Sequence, residues 1–210
     1  MQLLASGRPA QCRPVSLPAI PWLPVEAKSH RVAGRARRAD TGAVWSTPRR
    51  DPVGPGQESV WDYPRPPALV RSQEHVRVVH AGVVVADSTR TWRILETAHA
   101  PAYYIPADDV RTDLLVPNGR GSTCEFKGRA GYADLAIPGH PVVRDACWSY
   151  ARPTPAYGQM AGAICFYPQR VDQAWVDDEL VTPLQDDFYG DWPTSRIAGP
   201  WKGGPGTRGW

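Results

Sequence analysis

A mostly-β domain of short antiparallel strands with one short helix, preceded by a disordered leader, is the fold class this sequence predicts. Three observations carry that expectation. Residues 1–57 hold eight prolines, scattered arginines and no sustained periodicity. From Glu58 onward, β-branched and aromatic runs alternate with polar residues at period 2 and are broken every few residues by Gly, Pro or Asp. No apolar run approaches the roughly 20 residues needed to span a bilayer.

The leader is basic. Residues 1–57 carry nine Lys and Arg against Glu26, Asp40 and Asp51, whereas the remainder has 15 basic and 18 acidic residues. A Pro- and Arg-rich segment of this kind cannot bury enough apolar surface to offset the entropy of ordering. Its charge leaves one route to nucleic acid or an acidic partner, through the leader alone. Arg8 and Pro9 interrupt the N-terminal apolar residues too early for a secretory signal, which needs about 7–15 of them. Four widely spaced cysteines, Cys12, Cys124, Cys147 and Cys165, with no C-x-x-C pair, point to a reduced, cytoplasmic setting.

The elements follow in order. "HVRVVHAGVVVADS" (75–88) predicts a hairpin whose turn uses a positive φ at Gly82. "TWRILET" (91–97) is a third strand. "PADDVRTDLL" (106–115) predicts one short helix, with Pro106 at its start and Asp108 and Asp109 in the first turn, where the helix dipole favours acids. "TCEFKGRAGYADLAI" (123–137) gives two extended halves separated by Gly128 and Gly131. "VVRDACWSYA" (142–151) and "MAGAICFYP" (160–168) add strands, and "QAWVDDELV" (173–181) predicts a hairpin turning at Asp177-Asp178. The sum is a barrel or a pair of packed sheets.

"ESVWDYPRPP" (58–67), "YYIP" (103–106), "CEFKGRAGY" (124–132), "WSY" (148–150), "FYP" (166–168) and "GPWKGGPGTRGW" (199–210) together resemble the domain-of-unknown-function 427 family. The resemblance runs in order over residues 58–210, so the expected organisation is a leader at 1–57 and one domain at 58–210. It implies a compact β-tent-like domain, the architecture of methionine sulfoxide reductase B and some zinc-bearing regulatory proteins, in a soluble bacterial protein. The family is sometimes labelled a nucleotidyltransferase. Two positions depart from its pattern: Phe126 stands where tryptophan is expected, and Ala133 follows Tyr132 in place of a second aromatic.

The candidate site residues sit in those tracts. Cys124 to Lys127 supply a thiol, a carboxylate and an ammonium. If the segment is extended, Cys124 and Phe126 share one face and Glu125 and Lys127 the other, which suits a surface Glu125–Lys127 ion pair better than a Cys–Lys couple. His99, at a position the resemblance matches to a family histidine, is the base that would activate Cys124 as a nucleophile; an inert buried cysteine is the alternative. Tyr103, Tyr104, Tyr132, Trp148 and Tyr150, with Tyr167, either line a small-molecule pocket or fill a small β core. The expected ligand set is therefore His99, Tyr103, Tyr104, Cys124, Lys127, Tyr132, Trp148 and Tyr150, for an unidentified small molecule. Cys124 and His99 are the catalytic candidates.

Nucleotidyl transfer needs paired carboxylates on Mg²⁺. Asp134 has Ala136 two residues on, so a second acid is missing there. His30, His75, His80, His99 and His140 never fall at ligand spacing, and the zinc knuckles of β-tent relatives are absent. No metal and no cofactor are expected. In the tail, Lys202 precedes the glycines, whereas phosphate loops place lysine after them. An extended tail anchored by Trp192, Trp201 and Trp210 is the simpler expectation. Three functions stay open: a small-molecule-binding domain, an enzyme (nucleotidyltransferase or thiol-dependent), and an interaction protein using its leader.

Overall fold

A computed structural model describes residues 48–207. The leader up to residue 47 and the anchor Trp210 lie outside the described residues, as does Cys12. The strands are β1 (Glu58–Ser59), β2 (Ala68–Arg71), β3 (Val76–His80), β4 (Val83–Ser88), β5 (Trp92–Leu95) and β6 (Ala102–Tyr104). They continue as β7 (Leu115–Cys124), β8 (Gly128–Leu135), β9 (Val143–Ser149), β10 (Ile164–Phe166), β11 (Gln173–Val176), β12 (Glu179–Leu180) and β13 (Ile197–Ala198). Among the described residues, three antiparallel sheets run in the orders β10-β9-β8-β7, β12-β11-β3-β4 and β2-β5-β6, and β1 pairs with β13 in parallel.

The expected hairpins form. β3 and β4 turn through Ala81 (φ 49°) and Gly82 (φ 72°), two consecutive left-handed residues that match the strands' own twist. β11 and β12 turn at Asp177-Asp178, with Asp177 at φ 53°. Gly131, expected as a break, lies inside β8 opposite Gly121. The predicted helix is instead two single 3-10 turns, Ala107–Asp109 and Thr112–Leu114. Val110 between them is extended because it bridges to Ala86, and the Arg111 N–H donates to the Val85 carbonyl. Tertiary pairing thus overrides the local helical signal. Among the described residues, no helix is long and apolar enough to cross a membrane.

Period-2 alternation divides the interior into two cores on opposite faces of the β7–β10 sheet. Ala133, Leu135, Cys147, Ile164 and Phe166 face the valines of β3, β4 and β11, with Trp192 fully buried among them. Tyr132, Trp148, Tyr150 and Cys165 face the other way, toward Trp92, Ile94 and Tyr104. β6 obeys the same rule, sending Tyr103 and Ile105 to the first core and Ala102 and Tyr104 to the second. Cys147 and Cys165 therefore lie on opposite faces, and Cys124, Cys147 and Cys165 are free thiols.

The described part of the chain before Glu58 is tied to the domain: the Asp51 N–H donates to the Gly199 carbonyl (3.0 Å) and Arg50 lies 5.7 Å from the Trp61 ring. The first and last strands of the described residues, β1 and β13, are also joined, with Glu58 opposite Ile197.

Buried carboxylates set the acid limit of stability. Asp134, 2% exposed, accepts the Asp145 N–H (2.9 Å) and hydrogen bonds from Asn118 and Arg144. Burial pushes its carboxyl up, but those donors outweigh burial and the net shift is downward. Arg90 forks onto Asp109 at 2.8 Å through both nitrogens, and with Ser88 holds that carboxyl below its ordinary value. Because the folded values lie below the unfolded one of about 3.9, this stabilisation is complete above that pH and is lost as pH falls through the folded values. The urea midpoint should fall between pH 6 and pH 3, and by less in an Asp134→Asn variant. Equal falls in both proteins would remove Asp134 from this role.

Candidate functional site

The second core is incompletely filled, and the gap is a cavity of about 510 Å³. Its floor is aromatic. Tyr104 is fully buried, and its hydroxyl accepts the Trp148 indole N–H at 3.0 Å. Trp148 in turn packs on Tyr167 with ring centroids 4.5 Å apart. Burial pushes the Tyr104 and Tyr150 hydroxyls well above their ordinary values, so both are neutral donors at any physiological pH. Gly190 closes this wall. A Cβ there would stand 2.6 Å from Trp148 Cζ3 and 3.1 Å from Tyr167 Cδ1, so only a residue without a side chain lets the backbone approach the rings.

One rim is the hairpin between β7 and β8. Cys124 pairs with Gly128, whose φ of 93° closes the turn, so residues 125–127 are turn and not strand. This corrects the expectation that the thiol and the ammonium point apart: alternation does not apply in a turn, and Cys124, Glu125, Phe126 and Lys127 all line the cavity. Thr154 holds the turn in place, its hydroxyl donating to the Phe126 carbonyl (2.6 Å) and its N–H to the Lys127 carbonyl (3.2 Å). The expected Glu125–Lys127 surface pair does not form. Glu125 instead meets Arg65 at 2.9 Å, while Lys127, only 9% exposed, lies 3.7 Å from Glu96.

The opposite rim carries His99. Its Nδ1 is 2.9 Å from Asp191 Oδ2, and the Tyr189 ring meets it edge-on at 4.8 Å. A carboxylate on one imidazole nitrogen fixes the ring's orientation and tautomer, leaving the other nitrogen for a ligand or a proton. Ala98, just before it, is buried with φ 65°, and its carbonyl accepts the Lys202 N–H at 2.8 Å. That bond brings the C-terminal stretch into the site. At the mouth, Arg120 sits 4.4 Å from the Tyr132 ring centroid, held by Asp145, a left-handed residue (φ 50°) next to an irregularity in the β8–β9 register. Ser122 and Tyr132 share a hydrogen bond of 2.9 Å.

A family model described as a domain of unknown function (DUF427) matches residues 68–177. The chain belongs to that family. No curated protein matches the chain.

In this DUF427 member, the matched segment supplies the aromatic floor, the β7–β8 rim, Glu96 and His99. Arg65, Gly190, Asp191 and Lys202 enter the cavity from outside the match. Seven of the eight ligand candidates, His99, Tyr104, Cys124, Lys127, Tyr132, Trp148 and Tyr150, line the cavity. Tyr103 does not. It projects through the sheet into the first core, where its hydroxyl donates to Glu74 (2.7 Å) and its ring meets Trp192. Adjacent residues on one strand cannot both face the same hollow.

Among the described residues, no hydrogen bond joins His99 to Cys124; the imidazole Nδ1 meets Asp191 instead. Asp134 is committed to Asn118, Arg144 and the Asp145 backbone, outside the cavity wall. No group of three or more His, Cys, Asp or Glu among the described residues is placed to hold a metal ion.

Proposed function

We propose that this DUF427 protein binds a small molecule in the aromatic and polar cavity, with His99, Cys124, Lys127 and Tyr132 among its contacts. The observation that carries this reading is convergence: a hollow of about 510 Å³ gathers rings, hydroxyls, a thiol, an oriented imidazole and buried ammonium groups from segments as distant as Arg65 and Lys202. Ligand pockets fall in the range of roughly 300–1,000 Å³, and this one joins an aromatic floor to an unusually large share of polar and charged lining.

Thermal unfolding against a panel of nucleotides, sugars and thiol metabolites tests the reading. A ligand present at 100 times its dissociation constant should stabilise the protein by about 2.7 kcal/mol. For a domain of this size that is a rise of about 5–10 °C in Tm. A panel in which no compound moves the midpoint, together with an experimental structure whose rings close the hollow, would retire it.

A further inference from the structure

Three cations and three carboxylates meet at one end of the cavity, and the pairing among them is uneven. Lys202 is 8% exposed and lines the hollow, yet among the described residues no hydrogen bond or ion pair within 4 Å reaches its ammonium. Lys127 has Glu96 at 3.7 Å, longer than a hydrogen bond. The same Glu96 is also bound by Arg65 at 3.0 Å. Of the other nearby acids, Asp191 is engaged by His99, and Glu125 extends outward with a side chain 67% exposed. Buried ammonium groups are ordinarily paired, because desolvation without a partner is strongly unfavourable.

The geometry points to a ligand with two parts: an oxyanion, carboxylate or phosphate, seated between Lys202, Lys127 and Arg65, and a flat ring system reaching toward Tyr104 and Trp148. This rests on the small-molecule reading above and narrows it to one ligand class. An oxyanion supplies an acceptor for Lys202, while Arg65, held by Glu96 at 3.0 Å and Glu125 at 2.9 Å, adds positive charge beside it. The aromatic floor stands in the same hollow, so one molecule of ring-plus-anion shape spans both. Burial and the neighbouring Arg65 pull the Lys202 ammonium below its ordinary value, against the opposing pull of Glu96 and Asp191, so an added negative charge there would be favourable.

Calorimetric titration with charge-matched probes decides it. The wild-type full chain is titrated with indole-3-acetate and phenyl phosphate, and with their neutral counterparts indole-3-acetamide and phenol. At least one anionic probe should bind tenfold or more tightly than its neutral counterpart, and comparing the two anions separates carboxylate from phosphate. In Lys202→Met that preference should shrink at least fivefold while the neutral probes are unaffected. Lys127→Met serves as the second variant if the first does not fold, and the wild-type comparison needs neither. Neutral and anionic probes binding equally well would overturn the oxyanion assignment and leave the pocket reading intact. No binding by any probe overturns this assignment, and the pocket reading falls with it only if the wider thermal panel is silent too.

Discussion

Replacing Trp192 by alanine should lower the unfolding free energy by about 3–5 kcal/mol, the range for deleting a large buried aromatic side chain. Trp192 has no exposed surface, its indole N–H donates to the Phe166 carbonyl at 3.1 Å, and its backbone N–H donates to the Pro101 carbonyl at 2.8 Å. Its ring lies 5.5 Å from Tyr103. Truncation therefore opens a void in the first core and strands a carbonyl on β10, two penalties that add. Urea unfolding of the variant measures the sum. A loss under about 1 kcal/mol would mean that the stretch after residue 177 is not integral to the domain.

Gly190→Ala should be nearly as damaging at the site while milder for the fold. The added methyl meets the Trp148 ring inside van der Waals contact and crowds Tyr167. Overpacking of this kind costs about 1–3 kcal/mol. Trp148 cannot yield freely, because its indole N–H is bonded to the buried Tyr104 hydroxyl. Either that bond breaks or the 190 backbone withdraws and takes Asp191 from His99. Both outcomes deform the cavity, so the variant should lose at least tenfold in affinity for whichever probe binds the parent. Unchanged stability and unchanged affinity together would show that the close approach at Gly190 is not maintained in solution.

The strands were legible in the sequence because alternation of burial imposes a period that composition preserves. "TWRIL" shows it, whereas the strand in "VVRDACWSYA" is buried on both faces at its end and reads as an apolar run. The short helical stretch was half legible: its acids and Pro106 do start a turn, but a single bridging residue, Val110, breaks it. Tyr103 was misassigned to the pocket although the same period forbids it to share a face with Tyr104. The β7–β8 turn was misread as strand because Gly128 marks where the turn ends and nothing local marks where it begins.

Arg65, Glu96 and Asp191 carry no site signal in the sequence, and Lys202 is set aside there because it precedes the tail glycines. Their approach depends on long-range bonds such as Lys202 N–H to the Ala98 carbonyl, for which sequence spacing holds no signal. A partial signal did exist for Lys202: a lone lysine between Trp201 and Gly203, in a tail otherwise pinned to the domain, has few routes to solvent.

The shared sheet between the two cores has an engineering consequence. Along β6, β8 and β9, Tyr104, Tyr132 and Trp148 line the hollow while their neighbours Tyr103, Ala133 and Cys147 meet the valine-packed side. A mutagenic library confined to positions such as 104, 132, 148 and 150 would reshape the hollow and the second core around it, whereas 103, 133, 147 and 166 would alter the first core alone. The hollow and the valine-packed core are thus written in interleaved registers of the same polypeptide.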